Sequence, residues 1–334
     1  MRKREYISPT AIKSYISDTD GFYLKYLTEE KFERDPQTQP MSVGSAFDAY
    51  CKSRLHSELF GKGNDPRFEF DSIFTEMVEE QNRDWAHEAG KHVFEAYVAS
   101  GAFRDLLFEL ANNSLDAPRM EFELRGSVDG TKSGLFGEVV LLGKPDLSWQ
   151  TKDGFNVIFD WKVNGYCSKS GVSPKQGYLK LRDPASSLTN YANTQHKATK
   201  LGRLHGYPIS VDHPMEKVDE DWAAQLSVYG WLLGMPIGSE FLTFIDQVVC
   251  RPGDVRPVLR FAEHRTYVTP DFQKKTFEDA VLVWDVCNNG HVFRDMTPEA
   301  SKAREEMLDI RAKAIAELSV EDQMLRQVTQ RNSW

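Results

Sequence analysis

The sequence predicts a mixed α/β chain of the α+β kind: one central mixed sheet flanked by helices, preceded by a helical N-terminal part. Three observations lead there. Apolar residues recur at helical intervals up to about Leu110, and runs rich in Val, Ile, Phe and Trp begin near Pro118. A strongly periodic helix then interrupts the strands, and helices close the chain.

Taken in order, Ser8 followed by Pro9 opens a helix to about Ser17, because serine caps free N–H groups and proline at the first position loses no hydrogen bond. Phe22 to Leu27 continues in helical style, and EEKFERDPQTQP is a polar connection with two prolines. SVGSAFDAYCKSRL, from Ser42, sets Phe47, Tyr50, Cys51 and Leu55 on or near one helical face, and further helices run from about Asp71 to Leu110. PRMEFELRG, GEVVLLGKPDLSWQ and FNVIFDWKV read as three strands of an antiparallel meander, the last two joined by the turn TKDG. EDWAAQLSVYGWLLG is a helix, FLTFIDQVVC and VLRFAEHRTYV are strands, and Asp271 to Cys287 and Pro298 to Leu318 are helical. The resulting division is a helical part over 1–115, a core over 116–295 with an insertion at 164–219 before the Gln225 helix, and a helical extension over 296–334.

Composition narrows the function. In 334 residues, 41 Lys and Arg face 50 Asp and Glu, a formal charge of -9, which argues against a surface coated all over in nucleic acid. A local exception stands between Val163 and His205, where Lys169, Lys175, Lys180, Arg182, Lys197, Lys200 and Arg203 face one acid, Asp183. No apolar run is long enough for a membrane span, and MRKREYISPT lacks the apolar stretch of a secretory signal, so the expectation is a cytoplasmic protein without a membrane partner. Cys51, Cys167, Cys250 and Cys287 stand far apart, which indicates neither a zinc ribbon nor a disulfide framework.

In the strand NVIFDWKV, alternation sends Asp160 and Lys162 to one face and Phe159, Trp161 and Val163 to the other. Asp146 ends the preceding strand, and folding back through Thr151 to Gly154 sets it against Asp160. Two carboxylates that close repel unless a cation lies between them, and oxygen ligands alone favour Mg²⁺ or Mn²⁺. Lys162 beside them suits orienting or deprotonating a water and offsetting charge on a phosphate. Taken alone, the same residues also describe a Pro-Asp turn and a solvated strand face with a surface ion pair.

Gly44-x-x-x-Asp48, Gly143-Lys-Pro-Asp146, Asp160-Trp-Lys162 and Gln225-x-x-x-Tyr229, in that order, resemble the motifs of the RecB-like branch of the PD-(D/E)xK nuclease superfamily, which includes RecE and lambda-type phage exonucleases. The likeness runs from about Ser8 to Tyr229 and implies a restriction-endonuclease-like core. It implies Asp146 and Asp160 as metal-binding acids, with the Trp161 carbonyl completing the metal shell, and Lys162 as the catalytic lysine. Gln225 is implied to act with it. Tyr229, one helical turn from Gln225, is implied to support the lysine and the DNA backbone. The other reading of that pair is a core tyrosine and a surface amide.

Three departures qualify the resemblance. A histidine often stands where Asp48 does; an aspartate suits a hard cation, and an ordinary polar position on an amphipathic helix is the competing reading. Glu121 resembles a further metal-binding acid of phage exonucleases, with Glu123 on the same face as a competitor. No close-spaced cysteine trio follows the core, so no iron–sulfur cluster is expected. The insertion carries Tyr166, Tyr178 and Tyr191 among its basic residues, a composition suited to clamping DNA near the metal and equally to a solvated loop.

The resulting expectation is a Mg²⁺- or Mn²⁺-dependent DNA nuclease, an exonuclease of recombination, repair or processing, encoded by a phage or mobile element and then acting in the host cytoplasm. A single-strand annealing or other recombination protein is the expected partner besides DNA, and an oligomer is allowed. The alternatives are a structure-specific or restriction-type endonuclease, a catalytically inactive DNA-binding protein of the same fold, and an unrelated two-carboxylate hydrolase in which Lys162 has no role.

Overall fold

Helices start where the caps predict them. Ser8 caps α1 (Pro9–Ser17), its Oγ accepting from the Ala11 N–H at 3.3 Å, and Asp18 ends α1 while capping α2 (Thr19–Tyr26) through the Gly21 N–H at 3.0 Å. The computed structural model describes residues 3–28, 36–120, 122–135, 137–164, 214–250 and 259–288. Within it, α3 (Gln39–Phe60), α4 (Phe70–Met77), α5 (Arg83–Ser100) and α6 (Ala102–Asn113) complete the helical part. Phe47, Cys51 and Leu55 of α3 are fully buried, as their spacing predicts, whereas Tyr50 is half-buried and stacks on Phe70 and Phe94.

The strands are β1 (Arg119–Met120), β2 (Leu124–Asp129), β3 (Glu138–Gly143), β4 (Leu147–Gln150) and β5 (Asn156–Asn164). After α7 (Met215–Val218) and α8 (Glu220–Leu232) come β6 (Leu242–Cys250), β7 (Leu259–Tyr267) and α9 (Pro270–Asn288). One mixed sheet has the order β1-β4-β5-β6-β7, with β5 parallel to β6 and the other pairs antiparallel. The fold class is therefore the expected one, a mixed sheet flanked by helices.

The three-strand meander is corrected. GEVVLLGKPDLSWQ is two strands: β3 pairs with β2 in a separate two-stranded sheet, and β4 begins beyond Lys144 and Pro145. Proline offers no N–H to a ladder and restricts the residue before it, so the chain leaves one sheet and enters the other at that point. The apolar run is continuous across the break, which is why pattern alone reads it as one strand. The helix expected over Pro298 to Leu318 lies outside the described residues.

The two faces of β5 meet different partners. Phe159 and Trp161, with Leu147 and Trp149 of β4, pack in one apolar cluster with α3, α5 and α6. Ile158 packs on the opposite face with Ile245 and with Met215, Val218, Ala223, Leu226 and Tyr229 of α7 and α8. The N-terminal helices thus share their core with the sheet. No helix among the described residues is long and apolar enough to cross a membrane.

Candidate active site

Four elements bring the motif residues together. β4 and β5 pair with Leu147 opposite Phe159, so extending the register by one residue sets Asp146 opposite Asp160. The two carboxyls act on each other, the Asp146 charge opposing ionisation of Asp160. Asp146 Oδ2 also accepts the Trp161 backbone N–H at 3.0 Å, which fixes the carboxyl at the mouth of the sheet. Strand alternation places Lys162 on the same face as Asp160, and the two form a close ion pair.

α8 supplies the next contacts. Asp219 caps it, accepting from the N–H groups of Asp221 at 3.0 Å and Trp222 at 3.3 Å. Gln225 Oε1 accepts from Lys162 Nζ at 3.0 Å, and Gln225 Nε2 donates to the Tyr229 hydroxyl at 2.5 Å. The chain Asp160–Lys162–Gln225–Tyr229 is thus continuous. Gly143 has a reason here, because a Cβ at that position would lie 2.6 Å from the Tyr229 ring.

Asp48 enters from α3 through Lys52, one helical turn away. Lys52 Nζ lies 2.5 Å from Asp48 Oδ2 and 3.0 Å from Asp146 Oδ1, and the lysine is only 2% exposed. Sequence pattern alone does not single out Lys52. Its signal was an acid–base pair at i, i+4 on the very helix that carries the glycine motif. Lys144, the second residue that pattern did not single out, lines the same cavity of about 520 Å³ as Asp48, Lys52, Asp146, Asp160, Trp161 and Gln225.

The electrostatics split the two carboxyls. Burial opposes ionisation of Asp146, but the Lys52 ammonium, the Asp160 hydrogen bond and the Trp161 N–H bring it down to about 2. Burial and then the Asp146 charge push Asp160 well above the carboxylate range, against the pull of Lys162. Lys162 is raised: burial works against its charge, and Asp160, Asp146 and Asp48 more than offset it. Burial and the Asp160 charge also raise Tyr229.

Asp146 and Asp160 could hold a hard divalent cation, since Mg²⁺ is ordinarily bound by one or two carboxylates plus waters. Their mutual repulsion in a buried setting, offset here by the Lys52 and Lys162 ammoniums, is what such a cation would relieve further. Among the described residues no group of three or more His, Cys, Asp or Glu side chains is gathered as a metal cage; lysine amines close on the carboxylates instead. Glu121 and the basic residues Lys169, Lys175, Lys180, Arg182, Lys197, Lys200 and Arg203 lie outside the described residues. Glu123 is exposed in an ion pair with Lys144 at 3.4 Å and does not line the cavity.

No known family matches the chain, and no curated protein does. Among solved structures, the crystal structure of SSO0001 is 9% identical over 82% of this chain and 82% of that one, with a TM-score of 0.25. A likeness at that level supports no inference.

Proposed function

We propose that the protein is a Mg²⁺- or Mn²⁺-dependent nuclease of the PD-(D/E)xK kind that hydrolyses phosphodiester bonds in DNA. The observation that carries this reading is the pairing of Asp146 with Asp160 across β4 and β5 on the wall of one cavity that Gln225 also lines, with Lys162 bound between Asp160 and Gln225. A bound cation would supply Lewis acidity at the phosphate and at the attacking water. Lys162 would orient that water and offset negative charge on the phosphate, while Gln225 and Tyr229 hold its ammonium in place. A glycosidase-like use of two carboxyls leaves Lys162, paired with Asp160, without a role.

The basic tract between Val163 and His205 supports a DNA substrate over a small phosphodiester, because phosphate attraction scales with the number of cations engaged. We assign the exonuclease role in recombination, repair or processing as the leading form of this activity, with a structure-specific endonuclease as its rival. The test compares wild type and Lys162→Ala on linear and closed circular DNA, single- and double-stranded, with Mg²⁺ and with EDTA. Loss of cleavage by about 10²- to 10⁴-fold in the variant, and complete loss with EDTA, is expected. Cleavage that survives both would sink the reading; degradation of linear but not closed circular DNA selects the exonuclease.

A further inference from the structure

Lys52 stands where a two-metal reading of this site would put its second cation. Its ammonium bridges Asp48 and Asp146 at 2.5 and 3.0 Å, almost sealed from solvent. We propose that Lys52 is a resident counter-cation. It confines the site to one divalent ion, held between Asp146 and Asp160, and makes Asp48 the partner of Lys52 rather than a metal ligand. The inference rests on the proposed nuclease reading.

Charge counting supports it. With every group ionised, Asp48, Asp146 and Asp160 face Lys52 and Lys144 on the cavity wall, and Lys162 on Asp160 brings the cluster to neutral. One divalent ion turns that to +2, which phosphate charge can offset; two would turn it to +4 in a buried setting, where unpaired charge is costly. Geometry points the same way. Ions of a two-metal pair lie about 3.5–4 Å apart and share a carboxylate, and beside Asp146 the Lys52 ammonium already lies 3.0 Å from Oδ1. Lys52 therefore balances charge on Asp48 and Asp146 and does not serve the ion between Asp146 and Asp160.

The experiment counts bound Mn²⁺ by electron paramagnetic resonance during titration of the full chain, without DNA. Wild type is expected to bind one Mn²⁺ per chain and Lys52→Met two, because the ammonium that bridges Asp48 and Asp146 is then gone. Asp48→Asn/Lys52→Met removes both partners of the buried pair, so it keeps the fold, and it is expected to bind one Mn²⁺ at least as tightly as wild type. Two ions in wild type, or one in a folded Lys52→Met, would overturn the proposal. So would a loss of roughly tenfold or more in affinity in the double variant, the usual consequence of removing a group that serves the metal; that arm decides the matter if Lys52→Met does not fold. No Mn²⁺ bound by folded wild type would instead overturn the nuclease reading beneath it.

Discussion

The two faces of the central sheet around β5 carry the same pair of groups, a buried carboxyl beside a cation, and differ in how fully the carboxyl is bound. On the rear face Asp246 of β6 accepts the Tyr97 hydroxyl on one oxygen and the Arg265 guanidinium, 2.5 Å away, on the other. Arg265 in turn lies 4.7 Å from the Phe244 ring centroid and 3.7 Å from Glu263. On the front face Asp160 Oδ2 touches the Lys162 ammonium without a directed hydrogen bond, and Asp146 opposes its charge. A saturated buried pair fixes one arrangement of the chain; an unsaturated pair beside a cavity retains capacity for a ligand. Trp161 joins the two, its backbone N–H on Asp146 and its indole N–H on the Tyr97 hydroxyl at 3.3 Å.

The largest effect expected from this contrast is on stability. Arg265→Met strands the Asp246 carboxylate, 1% exposed, and is expected to cost about 3–5 kcal/mol in chemical denaturation. Lys162→Met in the same assay is expected to cost no more than about 1.5 kcal/mol, because burial and the Asp146 charge already raise Asp160, so that it gives up its charge when the ammonium is removed. Equal losses in the two variants would erase the distinction between the faces.

The front face was legible in sequence because alternation in NVIFDWKV and the i, i+4 spacing of Gln225 and Tyr229 are local signals. The rear network was not. Asp246, Glu263, Arg265 and Tyr97 come from three elements, and only the long-range register of β5, β6 and β7 against α5 assembles them. One hint existed: in LTFIDQVV, alternation puts Asp246 on the same face as Phe244 and Val248, so an acid there demands a buried partner. The parallel pairing of β5 with β6 left no local mark either. The break at Lys144 and Pro145 was marked by the proline itself, hidden by apolar residues on both sides.

A second way to sharpen the comparison uses pH. His264 of β7 lies on the front face, its Nδ1 without a hydrogen-bond partner among the described residues and its Nε2 donating to Gln247 Oε1 at 3.0 Å as that amide is oriented. Burial, then the Arg265 charge, lower its pKa from 6.5 to about 3. The unfolded chain therefore takes up this proton first as pH falls. The stability contribution is complete above about pH 6.5 and is lost progressively as pH drops toward 3, at up to about 1.4 kcal/mol per pH unit. His264→Gln is expected to flatten the fall in unfolding free energy between pH 6.5 and 4.5 by about that slope. An unchanged slope would show that His264 is protonated in the folded protein and belongs with the charged network behind it.

The smallest expected effect tests whether Tyr229 serves the front face or only the core. It is 5% exposed, and its hydroxyl accepts from Gln225 Nε2 while its ring covers Gly143. Tyr229→Phe keeps the ring and removes the acceptor, so the expected stability loss is only about 0.5–1.5 kcal/mol. Gln225 is then free to turn, and the Lys162 ammonium loses a fixed partner on the side away from Asp160. The expected kinetic result is a fall in kcat of up to about tenfold, equivalent to about 1.4 kcal/mol, with KM for DNA unchanged. The same stability loss with an unchanged kcat would make Tyr229 a packing residue, and the front-face chain would then end at Gln225.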